Sequence, residues 1–354
     1  MLFRSVDYLA ACVLDLSGAV RHRTVRWADL RLVPATVALD RIADLAAEAR
    51  DAASRQGLRL AGTALAVPGL VTREGLIHLA PNLGWHEVDA AALLAADPRV
   101  TGTVPSPADA AQLARPAGPA QPILLVENEA NLAAIGESQI AGPAASSFLY
   151  VSGEIGIGAG IVLDGVLFRG ARGWSGELGH VPVRPDGPTC RCGARGCLEQ
   201  YAGQEAILAA AGLVGSTVSR AAAETGETPP KEPNGPMTAI LERLVELAKA
   251  GDPATCRALA DAGTALGVAI GGVINMLDVD TVVLGGVYAP LAPWLVPPVT
   301  AEVHRRVLTA RWAPITVRPA VLGGDAAMYG AAGSVIRAVL ERPAPWLEAG
   351  APCR

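Results

Sequence analysis

Long hydrophobic runs and a secretory leader are both missing from this 354-residue sequence. No apolar run reaches the roughly 18 uninterrupted residues that a membrane helix needs, so an integral membrane protein is not indicated. The opening residues combine one basic residue with an apolar stretch, but Asp7 interrupts them and no small-residue cleavage site follows. We therefore expect a cytoplasmic protein that has no membrane partner.

Basic charge and aromatic residues are also scarce. With 29 basic against 34 acidic residues, the net charge of −5 provides no basic face for a phosphate backbone, so the chain alone should bind nucleic acid poorly. Aromatic residues make up 4% of the chain and hydrophobic residues 51%, so Ala, Gly, Val and Leu must build the core. That composition, at this length, is typical of an α/β protein with two domains or two lobes.

Strand and helix patterns alternate along the chain, which predicts an α/β fold. The predicted strands are a hairpin over residues 6–27 and single strands at 60–67, 123–126, 148–152, 159–168 (itself folded by Asp164-Gly165), 281–284 and 315–319. Predicted helices cover 39–49, 129–142 and 254–277, with another after a Gly285-Gly286 turn and a last one from Asp325. The Pro- and Gly-rich stretches 101–122 and 225–236 are predicted to be mobile connections.

Cysteine is rare, with six in the chain, yet three of them lie within eight positions of one another. Cys190, Cys192 and Cys197 follow His180, and glycines between them allow the backbone to turn. One nitrogen and three sulfurs are the tetrahedral ligand set of a structural zinc site. In a reducing compartment, close cysteines are metal ligands more often than disulfide partners. The spacing predicts a structural, non-catalytic zinc ion; the alternative is three reduced surface thiols.

Two acidic residues flank this cluster. Glu177 precedes His180 by three positions, and Glu199 follows Cys197 by two. Carboxylates accept short hydrogen bonds and are suited to holding vicinal hydroxyl groups. His180 can bind zinc through one ring nitrogen and offer the other to a ligand. Taken alone, the two acids are equally consistent with ordinary solvated charges.

Several longer segments occur in a fixed order along the chain. They are VPG (67–69), PNLGW (81–85), ENEANLAAIGE (127–137), GIGAGIVLDGVLFRGARGWSGELGH (156–180), CRCGARGCLE (190–199), NMLDVDTVVLGG (275–286) and GGDAAMYGAAG (323–333). This set resembles the ROK family of bacterial sugar kinases and sugar-responsive repressors, and most of all its NagC/XylR-type transcriptional regulators. The resemblance implies an α/β, two-lobed, actin-like ATPase (ribonuclease-H-like) fold with a structural zinc loop, a sugar in the cleft between the lobes, and a homodimer.

The resemblance also implies a domain organisation. The expected parts are an N-terminal ribonuclease-H-like lobe over 1–122, including the mobile 101–122 loop, and a C-terminal lobe over 123–325 with the zinc and sugar-binding loop. A closing helix over 326–342 should return to the first lobe, and 343–354 should form a Pro-rich tail.

Carried over by position, the family's sugar contacts fall on seven residues. They are Gly69 and Asn82 in the first lobe and Asn128, Glu129, Glu177, His180 and Glu199 in the second. A site with so many polar groups rejects analogues that lack a hydroxyl, because its own groups would stay unpaired. Helix capping is the alternative role for Asn128 and Asn131, and for Asn131 it is the role we expect.

The residues that a kinase of this family would need are altered. Its catalytic aspartate is replaced by Glu129, whose extra methylene displaces the carboxylate. Its first phosphate turn, Asp-x-Gly-Gly-Thr, aligns with Phe3 and Ser5-Val6-Asp7, and its Gly-Thr-Gly turn becomes Glu154-Ile155-Gly156. Gly156, Gly158, Gly285 and Gly286 would bind nucleotide only if the chain were a kinase.

We therefore predict a sugar-sensing effector domain of a transcriptional regulator, which binds a monosaccharide or amino sugar without phosphorylating it. The alternatives are an ATP- and Mg²⁺-dependent sugar kinase of the glucokinase or N-acetylhexosamine kinase type, with Glu129 as catalytic base, and a relic that binds nothing. DNA would be reached only through an N-terminal winged helix-turn-helix that this chain lacks. A stand-alone sensor and a fragment both remain open, and Leu2–Ser5 fits the family match so poorly that adapter sequence is one explanation.

Overall fold

The computed structural model describes residues 2–4, 8–31, 33–102, 122–142, 146–154, 156–213 and 235–348. The strands, in chain order, are β1 Leu2–Arg4, β2 Tyr8–Leu14, β3 Val20–Trp27, β4 Gly62–Val67, β5 Leu70–Val71, β6 Leu76–Ala80, β7 Trp85–Asp89, β8 Ile123–Asn128, β9 Phe148–Gly153, β10 Ile157–Leu163, β11 Val166–Leu167, β12 Thr281–Gly286 and β13 Thr316–Pro319. The α-helices are α1 Ala35–Ser54, α2 Ala90–Ala95, α3 Pro98–Thr101, α4 Glu129–Ala141, α5 Glu199–Ala202, α6 Gln204–Ala210, α7 Gly235–Lys249, α8 Pro253–Leu277, α9 Tyr288–Arg306, α10 Ala326–Glu341 and α11 Ala344–Glu348.

The chain folds as two compact units. The first comprises Met1–Gln139, Gly170–Trp174 and Ala327–Arg354, and the second comprises Ile140–Arg169 and Ser175–Ala326. The boundary between the lobes was predicted after residue 122, whereas the first unit extends to Gln139. The difference arises because β8 pairs in parallel with β4 along its whole length and so completes the first unit's sheet.

The first unit is built on a five-stranded sheet in the order β3-β2-β1-β4-β8. Strand β2 is antiparallel to both β3 and β1, and β4 and β8 continue the sheet parallel to β1. Helix α1 buries Leu39, Ile42 and Leu45 on one face, the spacing of an amphipathic helix that covers a core. A separate antiparallel sheet, β5-β6-β7, follows β4.

The second unit repeats this topology. Its sheet has the order β11-β10-β9-β12-β13, with β9, β10 and β11 antiparallel and β12 and β13 parallel to β9. Three antiparallel strands followed by two parallel ones, once in each unit, confirm the predicted α/β, actin-like (ribonuclease-H-like) fold class. Leu2–Arg4, which fits the family match poorly, forms the central strand of the first sheet.

Close packing of α8 on α9 supports the second sheet. Gly263 and Gly267 lie one helical turn apart on α8, where a Cβ atom would crowd Pro298 and overlap Glu302 of α9, respectively. Glu302 is 5% exposed and is bound by the Arg305 and Arg306 guanidinium groups of its own helix. The glycines of α8 therefore allow α9, which contains three prolines, to approach closely.

Most of the elements predicted from the sequence are confirmed, including the β2–β3 hairpin and the β10–β11 turn at Asp164-Gly165, where both residues have positive φ. The Gly285-Gly286 turn was wrong, since both residues belong to β12 and pair with β9. Strand β1 and the β5-β6-β7 sheet were not predicted. Residues 103–121 and 225–234 of the two predicted mobile connections lie outside the described residues, as do residues 349–354 of the tail, which begins as helix α11.

Among the described helices, α8 has the length and mean hydropathy, 1.4, of a membrane-spanning segment. More than half of its most apolar stretch, 56%, is buried inside the fold, as in the core helix of a globular unit. Its composition is therefore explained by packing.

Alanine substitutions at two helical glycines should change the stability of the protein in opposite directions. A Cβ atom at Gly330 of α10 would overlap the carbonyl oxygen of Leu132 in α4, whereas nothing lies within 4 Å of a Cβ at Gly272 of α8. We expect Gly330→Ala to destabilise the protein by about 1–3 kcal/mol through overpacking. Gly272→Ala should stabilise it by about 0.5–1 kcal/mol, because alanine has the higher helix propensity. Denaturant unfolding followed by circular dichroism measures both, and equal stabilities would contradict the described α4–α10 packing.

Candidate functional site

The loop that carries the cysteines is held by backbone hydrogen bonds rather than by regular secondary structure. The Cys190 N–H donates to Ala194 O at 2.8 Å, and the Gly196 N–H donates to Pro188 O at 2.9 Å. Gly196 has a φ of +68°, and a Cβ there would overlap Arg184 O, so only glycine fits. These bonds return the chain on itself so that Cys197 comes back beside Cys190.

The structure brings the four predicted metal ligands together. The ligand atoms of His180, Cys190, Cys192 and Cys197 all lie within 4.8 Å of one another. His180 Nδ1 is 3.8 Å from Cys190 Sγ, and the Sγ atoms of Cys192 and Cys197 are 3.7 Å apart. Tetrahedral zinc with bonds of about 2.0–2.3 Å requires ligand separations of about 3.5–3.8 Å, so these residues fit the ion. The sulfur separation is much longer than the roughly 2.05 Å of a disulfide.

A bound cation would also reduce the electrostatic repulsion among the thiolates of this cluster. Burial raises the pKa of the Cys197 thiol, while the Ala194 backbone N–H lowers the pKa of Cys192. Several thiolates this close would repel one another, and a bound zinc ion removes that repulsion by coordinating them. The cluster can therefore hold zinc, and Nδ1 is the His180 atom that faces the sulfurs, which leaves Nε2 for another partner.

Glu177, His180 and Glu199 lie close enough to influence one another electrostatically. Glu177 exposes part of its side chain, but protein atoms crowd its carboxyl group, and this burial raises its pKa. The His180 ring lowers that pKa and the negative charge of Glu199 raises it. The Glu199 carboxylate accepts a hydrogen bond of 3.3 Å from the Ile157 N–H of β10. A crowded but solvent-connected carboxyl beside a second carboxylate is an arrangement suited to a polyhydroxylated ligand.

A buried tyrosine holds helix α5, which begins at Glu199. The Tyr288 hydroxyl donates to Ala202 O at 2.7 Å, and its ring lies where a Cβ of Gly153 would be, 2.5 Å from the nearest ring atom. Burial, with a smaller contribution from Glu199, raises the Tyr288 pKa, so the hydroxyl stays a donor. Helix α5 is thus held at both ends, through the Glu199 carboxylate at its start and the Ala202 carbonyl at its last residue.

Asn128 and Glu129 were expected in the second lobe, but they belong to the first unit, because β8 pairs with β4. There Asn128 lies beside Gly69. Asn128 Nδ2 donates to Gly69 O at 2.9 Å, while its Oδ1 accepts from the N–H groups of Ala130 and Asn131. Asn128 is therefore the cap of α4, and the capping role expected for Asn131 was wrong. Within the part of the chain that the structure describes, no acceptor takes the second N–H of the Asn128 amide, so it can serve a ligand.

The other candidate residues of the first unit are Asn131, Glu129 and Asn82. Asn131 is 1% exposed and donates to Glu127 Oε1 at 3.0 Å. Glu129 is the buried first residue of α4, where the positive end of the helix dipole favours a carboxylate. Asn82 lies in the 3₁₀ turn Pro81–Leu83, and among the described residues it forms no hydrogen bond to Gly69, Asn128 or Glu129.

Two of the four glycines assigned to nucleotide binding have packing roles. A Cβ on Gly285 would overlap the Tyr150 hydroxyl, and one on Gly286 would overlap Gly153 O, so neither glycine needs a nucleotide to explain it. Gly158 pairs with Ser152 inside the β9–β10 ladder, and Gly156 O accepts from the Glu154 N–H at 2.9 Å in the turn between these strands.

Sequence reasoning missed Tyr288. The residue belongs to the few aromatic side chains of this chain, but its contact with α5 depends on tertiary structure.

The sequence model of the ROK family matches residues 120–338. The xylose repressor of Bacillus spizizenii is 26% identical over 341 residues, which cover 95% of this chain and 76% of the repressor. The glucokinase of Halalkalibacterium halodurans is 28% identical over 276 residues, covering 77% of this chain and 74% of the enzyme.

Among solved structures, a ROK family transcriptional regulator homologous to the E. coli MLC protein has a TM-score of 0.74 and 25% identity, and the match covers 98% of this chain and 79% of that chain. Repressors and kinases are thus both relatives of this protein. Because the family model spans more than half of the sequence, and the fold and the Cys/His cluster agree with it, this chain belongs to the ROK family.

Proposed function

We propose that this chain is the sugar-binding part of a transcriptional regulator and that it binds a monosaccharide or amino sugar without phosphorylating it. The family contains both regulators and kinases, so the residues of the site must distinguish them. The sugar side is supported by Glu177, His180 and Glu199, which lie together on and beside a loop that can hold zinc. The contacts predicted at Gly69, Asn82, Asn128 and Glu129 stay predictions.

The observation that carries the proposal is the turn between β9 and β10. The resemblance assigns this turn to a nucleotide phosphate, yet its first residue is Glu154, whose backbone N–H is already bonded to Gly156 O at 2.9 Å. A phosphate there would meet the added negative charge of Glu154, would lose the hydroxyl that Ile155 replaces and would lose a backbone donor. Like charges repel, so an acidic residue at this turn disfavours ATP.

The alternative function is an ATP- and Mg²⁺-dependent sugar kinase. The glucokinase similarity favours it, and so does Glu129, a carboxylate held at the N-terminal end of α4. In that case Glu129 would accept the proton of the attacking sugar hydroxyl. The xylose repressor similarity makes D-xylose the first sugar to test for the regulator.

Zinc belongs to the proposal as a structural ion. When bound, it would be coordinated by the three thiolates and the histidine and would hold the loop between Glu177 and Glu199 without taking part in any reaction. A homodimer, a cytoplasmic location and DNA contact through a further domain remain predictions from the family resemblance.

Calorimetry separates regulator from kinase. D-Xylose, D-glucose and N-acetyl-D-glucosamine should be titrated with and without ATP and Mg²⁺, with ADP release measured in parallel. We expect saturable binding of at least one sugar and no sugar-dependent ADP release. Sugar-dependent ADP release that Glu129→Gln abolishes would establish the kinase alternative, and absence of binding by every sugar would favour the relic.

A variant pair tests the acidic groups. Glu177→Gln should weaken sugar binding by roughly tenfold to a hundredfold, because a charge-assisted hydrogen bond becomes a neutral one. Glu205→Gln is the matched control, since Glu205 is exposed on α6 and only forms a surface ion pair with Arg191. Equal affinities of the two variants would remove Glu177 from the site.

A cysteine pair tests the metal. Protein purified without chelator should carry about one zinc ion per chain by elemental analysis. Cys197→Ser should remove it, because the buried sulfur completes the tetrahedron, whereas Cys256→Ser in α8 should keep it. Parent protein without bound zinc would overturn the assignment.

A further inference from the structure

The segment between the first two metal ligands contains a tight turn. The Gly187 N–H donates to Arg184 O at 2.9 Å and closes residues 184–187 into what we call the ligand-loop turn. His180 precedes this turn and Cys190 follows it, and all of these residues belong to the second unit. The position of the turn therefore bears on how Cys190 returns to the side of His180.

The described hydrogen bonds of the ligand-loop turn lead to other residues of the same loop. The Arg184 N–H donates to Gly196 O at 3.3 Å, and the Arg195 side chain donates from Nε to Gly187 O at 3.2 Å. These bonds hold the two halves of the loop to each other. Among the described residues, none of them connects the turn to a helix or to a sheet of the unit.

Tyr201 on α5 contacts the ligand-loop turn from outside the loop. A Cβ on Gly187 would overlap the Tyr201 hydroxyl, so the tip of the side chain lies directly against the backbone of the turn. At the other end of the turn, the Arg184 guanidinium lies 5.0 Å from the centroid of the Tyr201 ring. The ring is thus in contact with the first and the last residue of the turn.

The Tyr201 ring has firm support on its other side. It is half-buried and packs against the hydrophobic core of the second unit. Its backbone N–H donates to Leu198 O at 2.9 Å where α5 begins. Among the described residues, the Tyr201 hydroxyl has no hydrogen-bond partner, so the side chain acts on the turn through its ring and its length.

We propose that Tyr201 is a positioning residue for the metal site. Its ring connects α5 to the turn between His180 and Cys190, and so limits the loop motions that would separate these ligands. This inference rests on the zinc ion of the proposed function. It assigns to Tyr201 a role in metal affinity that requires no contact with the metal or with a sugar.

Zinc affinity tests the role. The dissociation constant for zinc, measured by competition with a chromogenic chelator, should rise about tenfold in Tyr201→Ala, as for other residues that support metal ligands. Tyr201→Phe keeps the ring beside the turn and should bind zinc as tightly as the parent. Tyr329→Ala is the matched control, since Tyr329 is also a half-buried helical tyrosine but lies in the first unit.

Two more variants and a local measurement separate positioning from a general loss of stability. Val303→Ala removes buried methyl groups from α9 of the same unit, so it should lower the free energy of unfolding but leave zinc affinity unchanged. Tyr201→Leu still fills the core side of its position without reaching the turn, and it serves where Tyr201→Ala does not fold. Hydrogen exchange of the Gly187 amide should be faster in Tyr201→Ala and Tyr201→Leu than in the parent.

Parent-like zinc affinity in both Tyr201→Ala and Tyr201→Leu would overturn the inference. A Tyr201→Phe variant as weak as Tyr201→Ala would overturn it too, as would an equal loss of affinity in Val303→Ala. If the parent holds no zinc, the zinc assignment of the proposed function fails, while exchange of the Gly187 amide still shows whether Tyr201 holds the turn.

Discussion

The arrangement of four ligand atoms around one point is the constraint on which the site depends. Residues 181–198 contain no helix and only isolated bridges, yet they must hold Glu199 in place at the start of α5. Hydrogen bonds at the tight turns shape the loop, and the gathered His180 and cysteines close it. Ordering a loop without regular secondary structure costs conformational entropy, and a metal ion bound to all four residues would offset part of that cost.

The scarcity of aromatic residues has a structural counterpart in the second unit. Tyr150 and Tyr288 are each fully buried, and each occupies the space above a glycine of the central strands. Where one large ring lies in an interior of small residues, the neighbouring position must be glycine, because a Cβ atom there would overlap the ring. The Tyr288 ring then carries its hydroxyl to α5 and supports Glu199. Core composition and site geometry are in this way parts of the same packing arrangement.

Local signals in the sequence were enough for the long elements and for the metal cluster. The helical period of α1 and α8 and the Asp164-Gly165 turn are set by neighbouring residues, and the cysteine spacing limits the cluster to one loop. Strand β1 is three residues long and exists only because β2 and β4 lie on either side of it. Likewise, the choice of Asn128 over Asn131 as cap depends on the backbone conformation at the start of α4, which composition does not reveal. What sequence reasoning missed is therefore what tertiary pairing decides.

Glycines that match a nucleotide-binding pattern can also be required by packing alone. Gly285 and Gly286 persist here beside a tyrosine hydroxyl and a carbonyl oxygen that would overlap any Cβ, so the fold requires them with or without a nucleotide. Their presence cannot distinguish a kinase from a regulator. Glu154 bears on that choice, because its carboxylate adds negative charge to the β9–β10 turn, where the resemblance places a nucleotide phosphate.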